Sequence, residues 1–187
     1  QNIEFMVPNQ RQKILRSDAA AFSAEMRVFR NARRVRTISC FDATVLQALG
    51  VEAVEVLPYC PPVADVIELK AIRDNRRTPS EGFVLILGTA GNPPTRMGLK
   101  LLLGKIAEEN VRRQYVLAGF GTEDLTSIAP SCVDVRGGVS PDDLRALLTN
   151  CSFLLVFQPP TSGMLTRLVE AAIAGIPTYV MGGYLQS

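Results

Sequence analysis

Two side chains three residues apart, Arg167 and Glu170, carry the chemistry this chain offers most plainly. They lie in QPPTSGMLTRLVEAAIAG, residues 158–175, which reads as a loop feeding a helix from Gly163 to Ala174, closed by Gly175 and Pro177. Thr161 or Ser162 can cap that helix, and Gly163 lets the backbone come close to a ligand. The unpaired amides of the first turn, reinforced by the helix dipole, then make a site for a diphosphate. Leu165, Leu168, Val169, Ala172 and Ile173 form the apolar stripe, while Arg167 and Glu170 share the neighbouring face. Arg167 can bind phosphate oxygens. Glu170, a turn deeper, can accept both hydroxyls of a ribose, because an ionised carboxylate is a pair of acceptors. The same residues also fit an ordinary capped helix with an exposed Arg–Glu pair worth only ~0.3–0.5 kcal/mol. Helix chemistry alone leaves both readings open.

The rest of the composition removes other chemistries. No histidine occurs among the 187 residues, so Ser-His-Asp and Cys-His nucleophile systems cannot be built from this chain. A general base drawn from it must be a carboxylate. The four cysteines, Cys40, Cys60, Cys132 and Cys151, are scattered without a CxxC pair and read as reduced thiols of a cytoplasmic protein. Without histidine, no metal site is expected. A net charge of +2 is too small to point to nucleic acid. No stretch approaches the ~20 apolar residues of a membrane span, and a peripheral membrane contact through basic surface segments stays open. The first residue is Gln1, which fits a fragment or a processed product.

The elements that must position Arg167 and Glu170 follow from the apolar pattern. Residues 11–32 carry Ile14, Leu15, Ala19, Phe22, Met26 and Phe29 at helical spacing. A strand over 35–39, a helix over 42–49 closed by Gly50, and a strand over 54–57 come next. Pro58, Pro61 and Pro62 then break regular structure. Residues 63–82 turn polar and basic, which predicts a solvated linker and a domain boundary near residue 80.

Beyond it the period changes. FVLIL (83–87) reads as a strand buried on both faces, and Gly-Pro-rich GTAGNPP leads to a helix over 95–110. Strands are expected at 115–118, 133–135, 153–157 and 178–181. Ser140 caps a helix that has Pro141 at its first position and Asp142 and Asp143 at its positive end. Strands alternating with helices predict an α/β fold with a doubly wound parallel sheet. In such a sheet ligands sit outside the carboxyl ends of the strands, where the glycine-rich loops lie.

TSGMLTRLVEAAIAGIP resembles the donor-site segment of the large retaining glycosyltransferase family of GT-B fold, commonly G-S-G-T-R-L-K-I-L-E-A-M-A-A-G-R-P. Ser162 and Gly163 fall on its serine and second glycine, Arg167 on its lysine, Glu170 on its glutamate, and Gly175 and Pro177 on its closing pair. The resemblance implies that Glu170 holds the donor ribose, that Arg167 faces the diphosphate, and that the amides of Gly163 and Met164 contact the same phosphates. LGTAGNPPTRMGLKLLL is similar to the family's first loop, with Thr89 and Arg96 as donor-site candidates. VDVRGGVSPDDLRALLTNCSFLLV is similar to a segment whose Gly-x-Val backbone contacts the base, here Gly138 and Val139. RNARRVRTISCFDATVLQALGVEAVEVLPYCPP resembles the end of an acceptor domain and its crossover.

On this resemblance, residues 1–62 are the tail of an acceptor domain, 63–80 a linker, and 81–187 a Rossmann-like donor domain truncated at its carboxyl end. The implied reaction is transfer of a sugar from a UDP- or GDP-linked donor to an acceptor hydroxyl of a sugar, lipid or polysaccharide. It needs no cofactor, and catalysis is largely electrostatic. Three departures stand out. Ser162 occupies the place of the first of two glutamates that many members carry, Arg167 replaces lysine, and Gly88-Thr89 stands where Gly-Arg is usual. The first and the third favour a second reading, a non-catalytic nucleotide-binding or assembly module on the same fold. A dinucleotide-dependent oxidoreductase fits poorly, because residues 88–98 read GTAGNPPTRMG, not G-x-G-x-x-G.

Overall fold

The computed structural model describes residues 16–76, 82–109, 113–157 and 165–181. Among them, residues 16–60 fall in one compact unit and residues 61–157 with 166–181 in a second.

In the first unit, α1 (Arg16–Asn31) precedes β1 (Val35–Thr37), α2 (Cys40–Ala48) and β2 (Val54–Val56). The helical spacing in α1 brings Phe22, Met26 and Phe29 onto one side, where they close over Val35, Leu46 and Val51. Ser39 caps α2 by accepting the Asp42 amide at 3.3 Å, and Arg30 donates to the Leu49 carbonyl at 2.8 Å beyond its other end. β1 and β2 pair in parallel, Val35 opposite Val54.

The second unit is a five-stranded parallel sheet in the order β5-β4-β3-β6-β7. Its elements are α3 (Val63–Asn75), β3 (Val84–Leu87), α4 (Pro93–Glu109), β4 (Tyr115–Ala118), a 3₁₀ helix (Thr122–Ile128), β5 (Val133–Gly137), α5 (Pro141–Asn150), β6 (Phe153–Phe157), α6 (Thr166–Ile173) and β7 (Thr178–Met181). This is the doubly wound α/β architecture that the alternating pattern predicts. Val84, Ile86, Tyr115 and Leu117 pack against Leu99, Leu102, Leu103 and Ile106 of α4. Leu85, Val116, Leu154 and Val156, at the alternate positions, are buried as well. Burial on both faces explains why FVLIL is apolar throughout.

Residues 63–75, in the stretch expected as a solvated linker, form α3. Leu69 and Ile72 are buried three residues apart, and the helix packs on α5 and α6. Glu68 accepts from Arg145 of α5 at 2.5–2.9 Å. Arg76, just past α3, donates to the carbonyls of Leu148 and Cys151 at the end of α5, which satisfies helix-terminal acceptors. Gly175 ends α6 at φ +64°, and a Cβ there would meet the Arg73 side chain at 3.1 Å. Two buried residues in thirteen are too faint a stripe to outweigh the surrounding charge.

Two smaller differences have local causes. The 3₁₀ helix is held chiefly by Leu125 and by Thr122, both buried, with the Thr122 hydroxyl donating to the Gly119 carbonyl at 2.8 Å. In α6 the deepest residue is Ala171, with Ala174 buried just after the helix, while Ala172 of the expected stripe is exposed. Small side chains there let α3 come close.

Candidate functional site

The strand order places the topological switch between β3 and β6. After β3 the chain moves to β4 and β5 on one side, then returns to β6 on the other. Connections leaving adjacent strands in opposite directions open a crevice at their carboxyl ends.

The floor on the β3–β4–β5 side is backbone. Beyond the strands the ladder continues, with the Gly88 amide donating to Ala118 O at 3.1 Å, Ala90 to Phe120 O at 2.9 Å and Gly119 to Gly137 O at 2.7 Å. Gly119 has φ +140°, and a Cβ on it would lie 2.0 Å from the Gly88 carbonyl oxygen, so no side chain fits there. Helix α4 begins on Pro93 and Pro94. Neither has an amide hydrogen, so the first turn of α4 offers fewer donors to an anion than an ordinary helix start.

Four predicted site residues sit around this floor. Thr89 is exposed, and its carbonyl accepts from the Asn92 amide at 3.2 Å. Arg96, on α4, forms an ion pair with Asp124 of the 3₁₀ helix at 3.4 Å, both partly exposed. Gly138 and Val139 follow the end of β5, Gly138 exposed and Val139 half-buried. Ser140 just beyond them caps α5, accepting the Asp143 amide at 3.1 Å, with Pro141 at the first helical position.

On the β6 side, Ser162, Gly163 and Met164 lie outside the described residues. Arg167 and Glu170 are both half-buried on α6. A guanidinium N–H of Arg167 donates to the carbonyl of Leu87, the last residue of β3. That bond ties the first turn of α6 to the neighbouring strand across the switch point. Glu170 stands three residues further along the helix, where its carbonyl accepts the Ala174 amide at 2.9 Å.

Two side chains of the crevice rim, Phe120 between Gly119 and Gly121 and Glu123 just beyond, carry no motif in the sequence. Phe120 is 73% exposed although its backbone is pinned. Its Cδ2 lies 3.9 Å from where a Cβ on Gly138 would be. The Glu123 carboxylate leans on Gly137, with Oε2 2.9 Å from where a Cβ would be. Among the described residues, no group of three or more His, Cys, Asp or Glu gathers as a metal site. No helix among them is long and apolar enough to cross a membrane.

No family model matches the chain, and no curated protein does. Solved structures do. The chain is similar to TarM with a TM-score of 0.64 at 9% identity, covering 96% of this chain and 35% of that one. It is similar to sucrose-phosphate synthase from Thermosynechococcus elongatus with a TM-score of 0.65 at 16% identity, covering 98% and 48%. It is similar to WaaG, a glycosyltransferase involved in lipopolysaccharide biosynthesis, with a TM-score of 0.57 at 15% identity, covering 88% and 49%. A mutant of TarM from S. aureus has been captured with fondaparinux, α-GlcNAc-glycerol and UDP. The fold of this chain is therefore that of a Rossmann-like GT-B half. It spans 35–49% of the length of the structures it matches.

Proposed function

We propose that the chain is the donor-binding part of a glycosyltransferase, which holds a nucleoside diphosphate sugar for transfer to an acceptor hydroxyl. One observation carries this most: Arg167, near the start of α6, is bonded to the end of β3, beside the switch between β3 and β6. A doubly wound sheet binds nucleotides at that place, and the GT-B fold gives the place a transferase context. Glu170 is the ribose anchor, an acceptor for its two hydroxyls. Arg167 sets the pitch of α6 against β3 and brings a positive charge towards the diphosphate. The backbone amides of Gly163 and Met164 take the phosphate oxygens. Thr89 and Arg96 line the opposite loop, and Arg96 exchanges Asp124 for phosphate at little cost, since exposed ion pairs contribute only ~0–1 kcal/mol.

In this reading the leaving diphosphate is stabilised by fixed dipoles and cations, with no cofactor, and the acceptor is a sugar, lipid or polysaccharide hydroxyl. In the same reading residues 1–62 are the tail of an acceptor domain and residues 81–187 belong to the donor domain. The site works in the cytoplasm or at a membrane surface.

The test is nucleoside diphosphate binding by calorimetry. Glu170→Ala is expected to weaken binding by tenfold or more, about 1.4 kcal/mol or above. Unchanged binding in that variant removes the ribose assignment. The second reading, a binding or assembly module, rests on Ser162 and Gly88-Thr89 standing where the family has a glutamate and Gly-Arg. It predicts nucleotide binding without sugar transfer or donor hydrolysis by the intact protein.

A further inference from the structure

Three features outside the donor helix invite explanation. The groove along α1 lined by Phe22, Met26 and Arg30 has nothing that names an occupant. The buried Cys151 thiol is already engaged by Arg76. The pair of side chains over Gly137 and Gly138 goes further.

Phe120 and Glu123 belong to one turn, and they stand over two consecutive glycines of the next loop. Their backbone is fixed. The Phe120 carbonyl accepts from Ala90 at 2.9 Å, Gly119 donates to Gly137 O at 2.7 Å, and the Thr122 amide and hydroxyl both donate to Gly119 O. An aromatic ring 73% exposed on so rigid a support is held out of the core by the fold itself. Large apolar side chains normally bury, and one fixed outward at a crevice rim is a platform for a flat ligand.

Charge sharpens the identity of that ligand. The neighbouring acids are neutralised, Asp124 by Arg96 at 3.4 Å and Asp134 by Arg136 at 2.6 Å. Among the described residues, no hydrogen bond or ion pair engages the Glu123 carboxylate. It remains a two-oxygen acceptor over Gly137, next in sequence to the glycine that Phe120 covers.

We infer that Phe120 and Glu123 form a nucleobase subsite selective for guanine, so that the donor is a guanosine diphosphate sugar. The inference rests on the donor-site reading above and adds the base to it. Guanine carries an N–H and an exocyclic NH₂ side by side on its Watson–Crick edge, and both can donate to one carboxylate. Uracil presents a single N–H flanked by two carbonyl oxygens, which a carboxylate repels. Adenine offers one donor beside a ring nitrogen acceptor. The Phe120 ring takes the face of the base, and a purine covers more of it than a pyrimidine. Glycine at 137 makes room for the Glu123 carboxylate, whose Oε2 lies 2.9 Å from where a Cβ would be.

The experiment measures binding of GDP, UDP and ADP to the full chain by calorimetry. Wild type is compared with Glu123→Gln, Phe120→Ala and Glu170→Ala. The expected result is GDP binding about tenfold or more tighter than UDP and ADP. Glu123→Gln then weakens GDP about tenfold and leaves UDP within about twofold, while Phe120→Ala weakens all three. Equal or tighter binding of UDP by wild type overturns the inference, as does a Glu123→Gln variant that alters both nucleotides alike. If Glu170→Ala keeps GDP binding while Glu123→Gln still shifts the ratio, the ribose assignment falls and the base assignment stands. Binding of none of the three overturns both.

Discussion

At the residue scale, the Cys151 thiol shows how tightly the second unit is closed beside α5. It is fully buried at the end of α5, with Arg76 donating to its sulfur at 3.5 Å and to its carbonyl at 3.0 Å. Burial pushes its pKa above the ordinary 9.0, and the Arg76 guanidinium opposes that only in part. The folded state therefore keeps the proton longer than the unfolded chain does. Its stabilising share is complete below the unfolded thiol value and is lost as pH rises from there through the folded value. Denaturation midpoints are expected to fall from about pH 8 to about pH 10, with a shallower fall in Cys151→Ala. Tyr115, raised mainly by burial, keeps some slope in that variant at the alkaline end. A slope identical to wild type would contradict this account.

The site residues were unevenly legible in the sequence. Arg167 and Glu170 stand out because a cap, a glycine and helical spacing all converge on them. Phe120 and Glu123 do not, because their significance lies in contact with Gly138 and Gly137, fourteen to eighteen positions along the chain. A hint existed in an aromatic between two glycines, since a large apolar residue in a turn is held outward.

At the scale of elements, strands were the easiest to read. Tyr115–Ala118, Phe153–Phe157 and Thr178–Met181 fall where the apolar runs predict them. In a parallel sheet the hydrophobic pattern fixes burial with little help from turns. α3 was obscured because its buried face is only Leu69 and Ile72, and its remaining contacts are polar, through Glu68, Arg73 and Arg76. Those two apolar residues nevertheless anchor it. Ile72→Ala is expected to cost about 2–5 kcal/mol in chemical denaturation. A loss below about 0.5 kcal/mol would mark α3 as the loose connector its composition suggests.

At the scale of the whole molecule, the described residues group into two compact units that meet in sequence at residue 61, within the proline-rich stretch, while the composition shifts near residue 80. The reason is the same helix: α3 precedes the first strand of the five-stranded sheet yet packs on α5 and α6, which follow it. Chains cut at the two places should differ. A segment beginning at Pro61 is expected to unfold several degrees higher than one beginning at Gly82, which loses Leu69, Ile72 and the Arg76 bonds. Equal melting temperatures would return the boundary to residue 80.

The hydrogen-bonded glycine floor has a consequence for how this protein can change. Since Gly88, Gly119 and Gly137 hold one another through backbone atoms, the loops keep their shape whatever side chains project from them. Phe120 and Glu123, both exposed, can thus vary without unsettling the sheet. The scaffold is conservative so that its rim can be inventive.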